Sequence, residues 1–165
     1  MVISRICMIR WKERMNLSEI LSIECIQAPL IATEKQDAIN ELVDLLASNN
    51  KIKDAEGLKD AVWSREQTRT TGIGHGLAIP HGKCDCISAP TLAIGRPSIP
   101  MEFESMDSKP VELIVLLASP ITSTREHIDA LASVSRIMNN PEFRDVIYQI
   151  SDSKEIYDLL IKQGG

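Results

Sequence analysis

The sequence predicts an α/β fold in which a mixed sheet is covered on both faces. Three observations carry this. Residues 111–118, VELIVLLA, form an almost continuous β-branched and leucine run, as a central strand buried on both sides requires. Apolar stripes at three- and four-residue spacing alternate with short apolar runs bounded by proline and glycine, the pattern of helices laid over strands. Residues 71–83, TGIGHGLAIPHGK, set three glycines within five residues, then a short apolar run, then a histidine held between Pro80 and Gly82. Such a histidine sits just past a strand end, where open α/β sheets place their chemistry.

The totals suit one domain. The chain has 165 residues, 44% hydrophobic and 25% charged, enough to bury roughly 70% of its unfolded surface. Net charge is -5; Arg5, Arg10, Lys12 and Arg14 against Glu13 give residues 1–14 a charge of +3, which leaves -8 for the rest. An acidic body argues against nucleic-acid binding. No apolar run reaches the ~18 residues of a membrane span, and Arg5 and Arg10 interrupt what would be the core of a signal peptide. Residues 1–14 are therefore read as a basic extension or frayed tail, and 15–165 as the domain. Cys7, Cys25, Cys84 and Cys86 are expected to be reduced thiols, and the protein to be cytoplasmic.

In chain order, residues 17–32 read as an extended, partly paired entry broken by Pro29. The first helix starts at Thr33, where Thr33-x-x-Gln36 spells a capping box, with Ala38, Ile39, Leu42, Val43, Leu45 and Leu46 as its stripe and Asn49-Asn50 as its stop. A second helix opens at Asp54 and runs to about Glu66, with Leu58, Ala61, Val62 and Arg65 on one side. From spacing alone, Arg65 is a solvated cap of that helix's C-terminus. Residues 77–79 and 91–96 are short strands, and Pro97, Pro100 and Pro110 make residues 101–109 a bent edge or loop. The longest helix follows the capping box Ser123-x-x-Glu126, with a stripe of Ile128, Leu131, Val134, Ser135 and Met138 that His127 joins. Two further helices start at Asn140-Pro141, with Phe143, Val146, Ile147 and Ile150, and at Ser153, with Ile156, Leu159 and Leu160.

Two nucleotide motifs fail in the glycine stretch. Five residues, not four, separate Gly76 from Gly82-Lys83, and Cys84 replaces the magnesium-binding hydroxyl of a phosphate loop; Ile79 stands where a dinucleotide fingerprint needs its third glycine. A metal site built from His75, His81, Cys84 and Cys86 is disfavoured, because structural zinc wants two to four residues between paired cysteines and Cys84-x-Cys86 has one.

The loop TGIGHGLAIPHGK, preceded by Arg65-Glu66 and followed by Lys109-Pro110-Val111 leading into LIVLLASP, then His127 within REHIDALASVSRIM, resembles the type 2 enzyme IIA domain of bacterial phosphotransferase systems. This is the fructose/mannitol-specific and nitrogen-regulatory family, and the resemblance spans residues 17–163. It implies a three-layer α/β/α sandwich around a mixed β-sheet. It also implies a phosphotransferase that takes phosphate from the phosphocarrier HPr on His81 and passes it to a cysteine of an enzyme IIB partner, with His127 and Arg65 completing the site. Backbone N–H groups of Gly72, Gly74 and Gly76 are expected to hold phosphoryl oxygens. A neutral imidazole near its ordinary pKa of ~6.5 is a good nucleophile, and its N–P bond is labile enough to hand phosphate on, so the chemistry calls for no metal or cofactor. The alternative within the family is a stand-alone regulatory protein whose phosphorylation state controls its partners. Pro100, Glu102-Phe103 and Ser108 depart from the family's usual pattern, in a segment expected to stay clear of the phosphorylation motif.

Overall fold

The computed structural model describes residues 15–164; residues 1–14, with the basic extension and Cys7, lie outside the described residues. After two 3-10 turns, Leu17–Glu19 and Ile23–Cys25, the elements run β1 (Ile26–Leu30), α1 (Lys35–Ser48), α2 (Ala55–Thr68), β2 (Gly72–Gly74), β3 (Leu77–Ala78), β4 (His81–Cys84), β5 (Thr91–Pro97), β6 (Leu113–Pro120), α3 (Thr124–Met138), α4 (Pro141–Ile147) and α5 (Ser153–Gly164). The sheet is ordered β1-β5-β6-β3-β2, with β4 also paired to β6. It is mixed: β1 runs parallel to β5, β5 antiparallel to β6, and β3 and β4 parallel to β6.

β6 is the central strand that its apolar run predicts, with every residue buried. Because side chains alternate across a strand, its residues serve two cores. Ile114, Leu116 and Ala118 pack under α1 and α2, while Leu113, Val115 and Leu117 pack under α3, α4 and α5. β5 divides likewise, Ala93 to the first core and Leu92 and Ile94 to the second. The result is helices on both faces of one sheet, the three-layer arrangement expected.

Several local readings need correction. Neither capping box forms: α1 has Glu34 as its N-cap, and Ser123 occupies the cap of α3 without using its hydroxyl. α5 is capped one residue earlier than expected, by Asp152, whose Oδ1 accepts from Glu155 N at 2.9 Å, because the Ser153 hydroxyl is spent on the Ile26 carbonyl. The stripe of α3 is rotated by about one residue. His127, Ala130, Val134 and Ile137 are buried while Ile128 is 58% exposed, and Val146 of α4 also faces outward. Pro80 interrupts a strand rather than ending it: its carbonyl still accepts from Leu117 N at 3.0 Å, and pairing with β6 resumes at His81. Cys84 and Cys86 are joined as a disulfide instead of being free thiols, their Cα atoms 5.3 Å apart and within ordinary disulfide reach. Cys25 is free and buried.

Candidate functional site

His81 begins β4, immediately after the Ile79-Pro80 break, so its ring stands at the step between two short strands that share one neighbour. Gly82 faces the other way: a Cβ there would lie 2.9 Å from Val62 Cγ2 and 3.1 Å from its backbone N, so α2 rests directly on the glycine. Alternation then puts His81 and Lys83 together on the α3 side of the sheet.

The geometry assigns the ring nitrogens of His81. Nδ1 lies 2.8 Å from the Ile79 carbonyl, which can only accept, so Nδ1 carries the proton and Nε2 keeps its lone pair. Burial, opposed by that carbonyl and reinforced by the Arg65 charge, lowers the pKa below its ordinary value, which favours the neutral, nucleophilic ring.

His127 comes to it from α3, with ring centroids 5.4 Å apart and planes inclined at 58°. It sits near the N-terminal end of the helix, and its Nδ1 lies 2.8 Å from Ser119 Oγ of β6, a fully buried hydroxyl. Burial first, then the neighbouring His81 and Lys83, lower its pKa to about 4. At neutral pH it is therefore an uncharged hydrogen-bonding group.

Arg65 lies in the last turn of α2 and, with His81, lines a depression of about 250 Å³ whose rim includes Ile73, Met106 and Leu131. Its Nη1 donates to the Arg69 carbonyl at 2.8 Å. The two readings of Arg65 thus combine, since the same side chain ties down the helix C-cap and faces the histidine. His81, His127 and Arg65 are brought together from β4, α3 and α2.

The three glycines are placed differently. They belong to the β2–β3 hairpin, where Gly74 and Gly76 have φ of 102° and 78° and His75 between them 57°, the left-handed conformations of a tight turn. Gly72 N donates to Thr70 Oγ1, and none of the three lines the depression that holds His81. They shape the hairpin. His75 lies in clefts that exclude His81. The disulfide occupies two of the four ligands of the zinc reading, and among the described residues no cluster of three or more His, Cys, Asp or Glu is placed to hold a metal.

Two features of the site were not anticipated. Glu66 is buried at the end of α2, pairs with Lys35 Nζ at 2.8 Å, and accepts from Thr71 N at 3.0 Å and from the Thr71 hydroxyl, pinning the entry of the glycine hairpin. Leu58, Val62 and Glu66 fall on one stripe at four-residue spacing, and a carboxylate ending a buried stripe is a signal that a partner awaits it. The segment 101–109, expected to stay clear of the motif, instead braces it. Asp107 Oδ2 accepts from His75 N at 2.9 Å, Met106 N donates to Gly72 O at 2.9 Å, and Met106 lines the His81 depression. Ser108 has φ of 59°, a left-handed conformation that favours glycine.

Residues 19–163 match the family described as phosphoenolpyruvate-dependent sugar phosphotransferase system, EIIA 2. The chain belongs to this family. A fructose-specific EIIA component of Haloferax volcanii is 30% identical over 145 residues, covering 88% of this chain and 94% of that protein. A nitrogen regulatory protein of Bradyrhizobium diazoefficiens is 30% identical over 146 residues, covering 88% and 95%. At the same identity the chain spans only 23% of the fructose-specific EIIABC component of Bacillus subtilis. Among solved structures, the nitrogen regulatory protein IIA-Ntr of Neisseria meningitidis superposes with a TM-score of 0.79 at 28% identity, over 86% of this chain and 97% of that one. The mannitol IIA of Escherichia coli, in complex with phosphorylated enzyme IIB, shares the fold with a TM-score of 0.74 at 17% identity, over 87% and 99%. As an EIIA family member the chain is a phosphotransfer component, and its relatives divide between sugar-specific and nitrogen-regulatory proteins. Among the described residues no helix is long and apolar enough to cross a membrane.

Proposed function

We propose that His81 accepts a phosphoryl group from HPr on Nε2 and passes it to a cysteine of an enzyme IIB partner in the cytoplasm. The observation that carries this is the Nδ1 bond to the Ile79 carbonyl, which leaves Nε2 as the unprotonated nitrogen of a ring with lowered pKa. In the first step the N–P bond of the phosphorylated donor breaks as the Nε2–P bond forms; in the second, the Nε2–P bond breaks as a cysteine thiolate forms the S–P bond. Such transfers depend on positioning and charge stabilisation. Arg65 is a cation on the depression side, and neutral His127 offers an N–H toward the phosphoryl when its Nδ1 accepts the Ser119 hydroxyl proton. Exposed Met106 and Ile73 give the rim an apolar surface for a protein partner.

Incubation with phosphoenolpyruvate, enzyme I and HPr should label the wild type with acid-labile phosphate. His81→Ala should abolish the label, His75→Ala should retain it, and Arg65→Ala should slow its uptake with the fold intact. Acid-labile label on His81→Ala would refute the assignment.

A second reading rests on the nitrogen-regulatory relatives, which match as well as the fructose-specific ones. In that reading the same phosphohistidine controls binding to a regulated protein. Adjacent reading frames for IIB and IIC components favour transport, and a lone gene beside regulatory genes favours signalling.

A further inference from the structure

We propose that Lys83 is a phosphate-binding residue of the His81 site, its ammonium leaving the Thr124 hydroxyl to pair with the phosphoryl oxygens once His81 is loaded. The inference rests on the reading of His81 as phosphoryl acceptor.

Placement is the first argument. With Gly82 turned toward α2, His81 and Lys83 rise from the same face of β4 two residues apart. The β4–β6 register sets His81 beside Leu117 and Lys83 beside Ser119, the residue that holds the His127 ring. Lys83 Nζ ends 3.2 Å from Thr124 Oγ1, at the first residue of α3 and one turn before His127. Its charge bears on both imidazoles, and it lowers the pKa of each.

Charge is the second argument. A phosphoryl group on a side chain brings roughly -1.5 to -2 charges at neutral pH. Arg65 supplies one positive charge, with part of its guanidinium committed to the Arg69 carbonyl, and His127 supplies none at neutral pH. Lys83 is among the charges that act on His81.

Availability is the third. Among the described residues Lys83 has no carboxylate partner, unlike Lys35, Lys59 and Lys154, and its one hydrogen bond is exposed and goes to a neutral hydroxyl. Exchanging a neutral acceptor for an anionic one, so that both partners are ionised, favours the move. Arg65 and Lys83 then grip the phosphoryl from the α2 side and the α3 side.

The test compares wild type, Lys83→Met, Lys83→Arg and Thr124→Val, each phosphorylated through phosphoenolpyruvate, enzyme I and HPr. Read out are the initial rate, the thermal midpoint and the 31P titration of the phosphohistidine. Lys83→Met slows uptake about tenfold or more and raises the pH at which the phosphoryl dianion takes up a proton, because a nearby cation favours the dianion. Lys83→Arg restores most of both, Thr124→Val keeps the wild-type rate, and all four melt alike. A wild-type rate and 31P titration in Lys83→Met, or a loss in Thr124→Val equal to that in Lys83→Met, overturns the inference while His81 stands as acceptor. Absence of label from the wild type removes both.

Discussion

Replacing Glu66 by alanine tests whether the site is held from behind by a buried ion pair. The Glu66 side chain is 1% exposed and that of its partner Lys35 14%, with Nζ to Oε1 at 2.8 Å. Breaking a buried pair by deleting one member costs about 3–5 kcal/mol, chiefly because the survivor is left uncompensated. The two deletions are not equivalent. Without Glu66, Lys35 keeps the Phe103 carbonyl at 3.2 Å, exposed Glu104 at 3.4 Å and the Phe103 ring at 4.9 Å. Without Lys35, the carboxylate keeps the Thr71 donors but is shut away from water. Glu66→Ala is therefore expected at the low end, about 3 kcal/mol, a fall of roughly 6–12 °C in midpoint for a domain of this size, and Lys35→Ala at or above it. The double variant should cost less than the two singles together, by about 1–3 kcal/mol. Urea denaturation of all four proteins measures the cycle. Additive losses would refute the pairing as the source of the stability. The effect should also reach His81, whose pKa the Glu66 charge raises: in Glu66→Ala the imidazole titrates lower still, as NMR would show.

Two further outcomes are expected. His127 has its pKa lowered to about 4 in the fold, against ~6.5 unfolded. Between those values the unfolded chain binds the extra proton, so the contribution is complete above pH ~6.5 and is lost as pH falls toward 4, on the order of 3 kcal/mol in all. His127→Gln should flatten the stability profile across that window, and a profile that keeps the wild-type slope would refute the assignment. Gly82→Ala should cost about 1–3 kcal/mol and slow phosphate uptake, since its Cβ would meet Val62 Cγ2 at 2.9 Å and push away the helix that carries Arg65. A variant as stable and as active as wild type would show that α2 yields there without consequence.

What was legible in the sequence was whatever depends on local pattern. The continuous run of β6 has one physical solution, a strand covered on both faces, and the Asp54 and Asn140 caps act as their side-chain chemistry dictates. The misread features were settled by distant partners. Ser123 has the right residue type and position for a cap, yet the helix end forms without its hydroxyl; Ser153 could cap α5, but the carbonyl of Ile26, far away in sequence, claims it. The stripe of α3 departs from the pattern at Ile128, which is apolar yet exposed, whereas His127, which joins that stripe in the sequence, is buried as expected. A buried histidine and an exposed isoleucine side by side reverse the expected preference, and such reversals concentrate where a chain serves function.

The candidate site shows the same division. His81 stands out in the sequence because proline and glycine flank it, but the nitrogen it offers is decided by a carbonyl two residues earlier, through the break at Pro80. His127 is singled out by its place near a helix start, whereas its neutrality comes from burial, with Ser119 of another strand at its Nδ1. In the sequence Arg65 closes the apolar side of α2; in the fold the carboxylate at the next position ends the buried stripe, and its partner Lys35 stands thirty-one residues away on another helix. In each case residue type marks the position while the tertiary neighbour sets the charge and the free valence. It follows that replacing the neighbours, Ser119, Glu66 or Lys83, should alter the behaviour of His81 and His127 while the motif itself is left whole.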